Sequence, residues 1–437
     1  LKKRLLNILF WSVLSAAFIG PGTVTTAASA GADYGFQILW ALVFSTIACV
    51  VLQEAAARLT TVSGHNLGQA LQAYAPRTAF GQAGLYIVLF SIVLGCAAYE
   101  AGNILGASAG VDLIFGINPV WTVLFCGLIA VILLWKGSTH RVVQLLGFIV
   151  AFMGFSFLST TVMMKPDFFE ILKGSLIPRF PAHSELLILG LVGTTVVPYN
   201  LFLGSGLKHR QGLREMRVSL TLAIVLGGII SIAVMIVGTS VTQSFTFETL
   251  SQQLTLQLGP WASYMFGFGL FAAGLTSALT APLAAAITAK SLLAQSERDN
   301  KWQSNGRYYR FTWSIVLLTG IGFGVSRIQP IPAIIMAQAL NGIILPVIAI
   351  FLLLMVNNSS LLSRDTINSN RYNILMGLVV FITIILGLTN VFKALANLVT
   401  AIKVNERLIF GISVVLSILV IFPIYRSIIN LRRASER

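Results

Sequence analysis

The residues best placed to do chemistry in this chain sit beside two interruptions in otherwise apolar stretches. The first stretch reads Phe18-Ile19-Gly20-Pro21-Gly22-Thr23-Val24-Thr25-Thr26, the second Gly193-Thr194-Thr195-Val196-Val197-Pro198-Tyr199-Asn200. Proline lacks a backbone donor and clashes with the preceding turn, and glycine adds backbone freedom, so each motif predicts a broken helix. Around the breaks stand Thr23, Thr25, Thr26, Thr194, Thr195, Tyr199 and Asn200. Their hydroxyl and amide groups donate and accept hydrogen bonds without carrying charge. Free half-helix ends add N–H groups with partial positive charge and carbonyls with partial negative charge. Such a lining suits a polar neutral solute, a zwitterion or small anion, or a cation that keeps much of its water. The competing reading is structural, because threonines in membrane helices commonly bond their own backbone or a neighbouring helix.

The elements that hold these residues are membrane helices. The chain has 437 residues, 56% hydrophobic and 10% charged, with a mean hydropathy of +0.87. A soluble protein carries about 25% charged residues. The apolar runs are helix-length, unlike the roughly ten-residue alternating strands of a membrane barrel. Twelve spans are predicted, at 8–33, 36–58, 83–113, 118–136, 142–164, 185–206, 218–242, 260–290, 310–326, 331–356, 372–391 and 407–430. With the N-terminus inside, 22 of the 29 basic residues fall on the cytoplasmic side, which predicts both termini there. The formal charge of +15 is thereby a matter of topology and not of nucleic-acid binding. A secretory signal is the rival reading of the basic start, but the apolar pattern runs straight on into a second span. The chain starts at Leu1, so a few native residues are expected before it. Cys49, Cys96 and Cys126 lie inside spans with no metal spacing and read as small apolar fillers. The polar stretches at 165–184 and 291–309 read as ordinary loops. The two breaks open the first and the second group of five spans, and five is odd, so the second group would be inverted relative to the first. Paired breaks in two inverted halves are the sequence pointer to a transporter's binding site.

At this point the residues resemble a known family. Gly20-Pro21-Gly22-Thr23, Gly31-Ala32-Asp33-Tyr34-Gly35-Phe36-Gln37-Ile38-Leu39-Trp40, Gln53, Ala57-Arg58-Leu59 and Ser63-Gly64-His65-Asn66-Leu67 resemble the first two spans of NRAMP (natural resistance-associated macrophage protein) transporters. Gly193 to Leu201 resembles their sixth span, and Ala337-Gln338-Ala339-Leu340-Asn341-Gly342 with Leu345-Pro346 their tenth. The resemblance implies an all-α integral membrane protein of the leucine-transporter type. Its first inverted repeat would be 1–164, its second 165–356, and 357–437 would supply additional C-terminal spans. It also implies proton-linked uptake of divalent transition metals.

Several residues that the family uses for metal are different here. By the resemblance, the family's metal-binding aspartate falls on Gly20, its asparagine on Thr23 and its methionine on Val197. The alanine that offers a carbonyl falls on Thr194, and the histidine beside the second proline on Tyr199. Soft ligands select transition metals and carboxylates attract hard ones, so the family's own metal chemistry is not expected. Gly20, Thr23, Thr26, Thr194, Val197, Tyr199 and Asn200 are the candidate substrate-binding residues, with no metal ligands and no cofactor. Tyr199 reads equally as a substrate contact or as a plug in the space a histidine leaves. Glu100 and Asn103, three apart on one helix face, stand where the family's third span carries two acids on its proton route. Glu100 is a candidate for coupling, or is interhelical glue. Glu54 and Arg58, four apart, read as a helix-stabilising pair at the cytoplasmic surface.

The expectation is therefore a multi-pass transporter of a bacterial-type inner membrane, a monomer, that moves a small polar or anionic solute by alternating access. A magnesium-type carrier of hydrated cations, retained proton-coupled metal uptake, and a receptor that binds without flux are the alternatives. No ATP-binding loop or catalytic cluster appears, so no enzyme is expected.

Overall fold

The structure is a computed structural model that describes residues 19–74, 79–137, 140–206, 212–294, 296, 299–326, 328–363, 365–398 and 406–433. Among the described residues there are sixteen α-helices and no strand. Ten segments are long and apolar enough to cross a membrane. In a bilayer every backbone polar group must be satisfied within the protein, and a helix achieves this segment by segment.

The first expected span is seen from its break onward, since residues 8–18 lie outside the described residues. Helix α1 (Pro21–Tyr34) starts at the proline, whose missing N–H costs nothing in a first turn. Gly20 caps it in an extended conformation. Helix α2 (Leu39–Ser63) forms the second span, and the short α3 (Leu67–Tyr74) follows. Spans three to five are α4 (Ala79–Phe115), α5 (Pro119–Lys136) and α6 (His140–Met164).

The sixth span is broken as the sequence predicts. Helix α8 (Glu185–Thr195) stops at Val196, and α9 (Pro198–Gly206) begins two residues later. At the later expected spans lie α10 (Leu213–Gly238), α12 (Trp261–Leu293), α13 (Arg307–Val325), α14 (Pro330–Met355), α15 (Asn370–Leu398) and α16 (Glu406–Arg433), of which α13 is a helix but not one of the ten segments long and apolar enough to cross. Between them lie α7 (Phe168–Leu176) and α11 (Phe247–Leu258). Helix α7 corrects the expectation of a plain loop at 165–184. Asp167 caps it by accepting from the backbone N–H of Phe169 at 2.7 Å and of Glu170 at 3.4 Å, a local stop-and-start signal that hydropathy does not register.

Close crossings set the core. A Cβ at Gly31 would collide with the Met235 carbonyl, so α1 and α10 touch backbone to backbone. A Cβ at Gly193 would collide with the Gln338 carbonyl, which brings the end of α8 onto α14. The three cysteines are free and buried.

Glu54 and Arg58 are not a surface pair. Both are buried, and Glu54 is a hub. Its carboxylate accepts from Arg58 Nε at 3.0 Å, from Arg217 Nε of α10 at 2.8 Å and from the Tyr372 hydroxyl of α15 at 2.9 Å. Arg58 in turn donates to the Thr366 carbonyl and the Asn368 side chain. Spacing of four shows that two residues share a helix face; it does not show that α10 and α15 cover that face.

Candidate functional site

The two breaks meet. Thr23 on the first turn of α1 and Thr194 on the last turn of α8 are joined hydroxyl to hydroxyl at 3.0 Å, both buried. Pro21 lies against α4 at Gly106, where a Cβ would strike its ring. Gly22 lies against Gln338 of α14, and Gly20 faces Ser277 of α12, with 3.3 Å from an ideal Cβ to its hydroxyl. Four helices thus converge on the Gly20–Thr23 turn.

Tyr99 of α4 reaches the second break. Its hydroxyl donates to the Gly193 carbonyl at 2.9 Å, and its ring meets Tyr199 edge to face at 5.4 Å. The next residue, Glu100, is fully buried and is packed on α13, where a Cβ at Gly320 would press on its side chain. Asn103 donates to Glu100 Oε2 at 3.4 Å. The other carboxylate oxygen, Oε1, has no partner within the protein.

Of the predicted residues, the structure brings together Thr23 and Thr194, and separately Glu100 and Asn103. Val197 fills the break itself, and Tyr199 and Asn200 are buried on the first turn of α9. Thr26 lies on the next turn of α1, with its methyl 3.0 Å from an ideal Cβ at Gly190. Thr195 follows the structural reading, since its hydroxyl returns to the Leu191 carbonyl at 2.9 Å.

Tyr99 and Gln338 were not anticipated as site residues. Gln338 and Asn341, three apart on α14, share a face, and that spacing was legible. Unpartnered buried polar atoms mark the region: Thr25 Oγ1, Thr26 Oγ1, Ser29 Oγ, Gln338 Oε1 and Asn341 Oδ1. A buried polar atom left unpaired costs about 1–3 kcal/mol, so native proteins keep few of them. Five of the eight found among the described residues are on α1 and α14, and the others are Glu100, Thr160 and Thr389. Among the described residues, no three His, Cys, Asp or Glu side chains gather where they could hold a metal ion.

Two interrupted spans whose breaks meet through buried threonine hydroxyls, in a bundle of helices long and apolar enough to cross a membrane, define a secondary transporter of the leucine-transporter type. The model of the family described as "Natural resistance-associated macrophage protein-like" matches residues 12–393, and the chain belongs to that family of transporters, which are not enzymes. A divalent metal cation transporter, MntH, of Deinococcus radiodurans is 28% identical over 303 residues, covering 64% of this chain and 68% of the relative. In fold, the chain is similar to the Eremococcus coleocola manganese transporter in complex with an aromatic bis-isothiourea substituted compound. That match has a TM-score of 0.72 and 18% identity over 99% of this chain and 94% of the other. Mhp1, a nucleobase-cation-symport-1 family transporter, matches at a TM-score of 0.55 and 16% identity over 97% and 92% of the two chains.

Proposed function

We propose that this family member moves a small polar or anionic solute through the site between the two breaks, and not a dehydrated transition-metal ion. One observation carries the reading. At the three positions that the resemblance assigns to side-chain metal ligands stand Gly20, Thr23 and Val197, and Thr23 engages Thr194 through a neutral hydroxyl pair. A bare divalent ion there would lose its water without gaining a carboxylate or a soft sulfur, and both losses oppose binding. Hydroxyls, the Gly193 carbonyl and the amide of Gln338 instead offer donors and acceptors to an uncharged or anionic group.

In this reading Glu100 carries the coupled proton and Asn103 holds its carboxylate in place. Two inverted repeats, 1–164 and 165–356, supply the alternating access, with the first, second, sixth and seventh spans rocking against the rest. The buried Glu54 hub joins two of those moving spans, α2 and α10. The arginines at that end support a cytoplasmic orientation in a bacterial-type inner membrane.

The test is flux in proteoliposomes with trapped indicators for manganese, magnesium and calcium under imposed pH and voltage gradients. The wild type is expected to show no saturable uptake of the three ions. The triple variant Gly20→Asp, Thr23→Asn, Val197→Met is expected to gain manganese uptake. The MntH relatives make metal uptake the competing outcome, and saturable manganese flux in the wild type would overturn the reading.

A further inference from the structure

Helices α15 and α16 part from each other on the outside of the helical core and leave a groove of about 670 Å3 floored by Leu353 of α14. Ile374, Leu378 and Phe381 line it from α15, and Ile424 and Ile428 from α16. It opens sideways, since Ile374 is 73% exposed. Along α15 it runs from Asn370 to Phe381, eleven steps of about 1.5 Å or roughly 17 Å. That is close to the depth of one leaflet, about half of a ~30 Å hydrocarbon core.

One end of the groove is polar and positive. Arg432 closes it together with Asn370 and Asn373. Among the described residues the Arg432 guanidinium is held by neutral acceptors. Nε and Nη2 donate to Asn357 Oδ1 at 2.9 and 2.7 Å, Nη1 donates to Asn370 Oδ1 at 3.0 Å, and Nη2 also donates to the Asn368 carbonyl. Among the described residues no carboxylate pairs with it. Arg371, next to Asn370, stands at the same end, exposed. The described parts of α15 and α16 contain one acid, Glu406, at the far end beside Lys393.

A fixed guanidinium that meets only neutral acceptors among the described residues, at the mouth of an apolar groove one leaflet deep, matches a phospholipid in both chemistry and dimensions. Four of the five Arg432 N–H groups have acceptors among the described residues and one on Nη1 does not, so it can make a charge-assisted bond to a phosphate, and basic pockets between membrane helices take anionic headgroups. A second copy of this chain would have to insert both an apolar ridge and an acid at that level. We propose that the groove between α15 and α16 binds one anionic phospholipid, with an acyl chain along Gly377 and Ile424 and the headgroup phosphate on Arg432. The site is connected to the core. The Asn368 carbonyl accepts from Arg432 while its side chain accepts from Arg58, which bonds the Glu54 hub. Bound lipid therefore reinforces the junction between α2, α10 and α15.

The experiment is native mass spectrometry of the full chain in detergent, with palmitoyl-oleoyl phosphatidylglycerol and phosphatidylcholine offered in turn. The wild type is expected to retain one phosphatidylglycerol about tenfold more strongly than phosphatidylcholine, the scale of charge-assisted hydrogen bonds. Arg432→Gln should bring the two lipids level. Gly377→Phe should abolish retention of both. At Gly377 a Cβ meets no atom within 4 Å, so that variant fills the groove while leaving the fold intact. Equal retention of the two lipids by the wild type, or full phosphatidylglycerol retention by Gly377→Phe, would overturn the proposal. So would lipid-free dimers that Gly377→Phe dissolves, which would assign the groove to a second copy. None of these outcomes depends on which solute is transported.

Discussion

Removing the Glu54 carboxylate should be among the most damaging single changes in this protein, and the structure ranks the variants around it. Glu54 and Arg58 side chains are 9% and 3% exposed, while Arg217 is 52% exposed. Glu54→Ala strands the buried Arg58 guanidinium with only the Thr366 carbonyl and the Asn368 side chain as acceptors. Breaking a buried ion pair from one side costs about 3–5 kcal/mol, because the surviving charge stays desolvated. Arg217→Ala should cost no more than about 1 kcal/mol, since that pair is half in water. Arg58→Ala should fall between them, because Glu54 keeps Arg217 and the Tyr372 hydroxyl. The double variant Glu54→Ala, Arg58→Ala removes both buried charges and should be no less stable than Glu54→Ala alone. Equilibrium unfolding in mixed micelles measures all four. A double variant whose loss equals the sum of the singles, or an Arg217→Ala loss as large as that of Glu54→Ala, would refute the hub.

Three further expectations concern the breaks. Thr23→Val and Thr194→Val each leave the partner hydroxyl without this bond; an interhelical hydrogen bond in a membrane protein averages about 0.6 kcal/mol, so both variants should fold yet lose substrate binding, and wild-type flux in both would move the site elsewhere. Glu100→Gln preserves shape and removes the titrating proton, so the pH dependence of flux should vanish, whereas an unchanged profile would make Glu100 a packing residue. Gly193→Ala drives a methyl into the Gln338 carbonyl, so a drop in unfolding midpoint with loss of flux is expected, and a wild-type midpoint would contradict the α8–α14 crossing.

The sequence alone determined the spans and the breaks. Each is a local consequence of the bilayer, because a backbone in hydrocarbon must satisfy itself. Gly20-Pro21-Gly22 and Val197-Pro198 therefore announce their departures wherever the rest of the chain lies. Periodicity likewise told which residues share a face, as with Glu100 and Asn103. It could not tell what covers that face. Thr195 and Thr194 are adjacent and chemically identical, yet one bonds its own turn and the other meets Thr23 from 171 residues away. Glu54 and Arg58 read as an ordinary surface pair until α10 and α15 close over them, and Tyr99 shows its role only when its hydroxyl reaches the Gly193 carbonyl. The rotation and crossing of helices remote in sequence decide these partnerships. They arise from packing over the whole core, where tertiary structure alone assigns each buried polar atom its partner or leaves it without one.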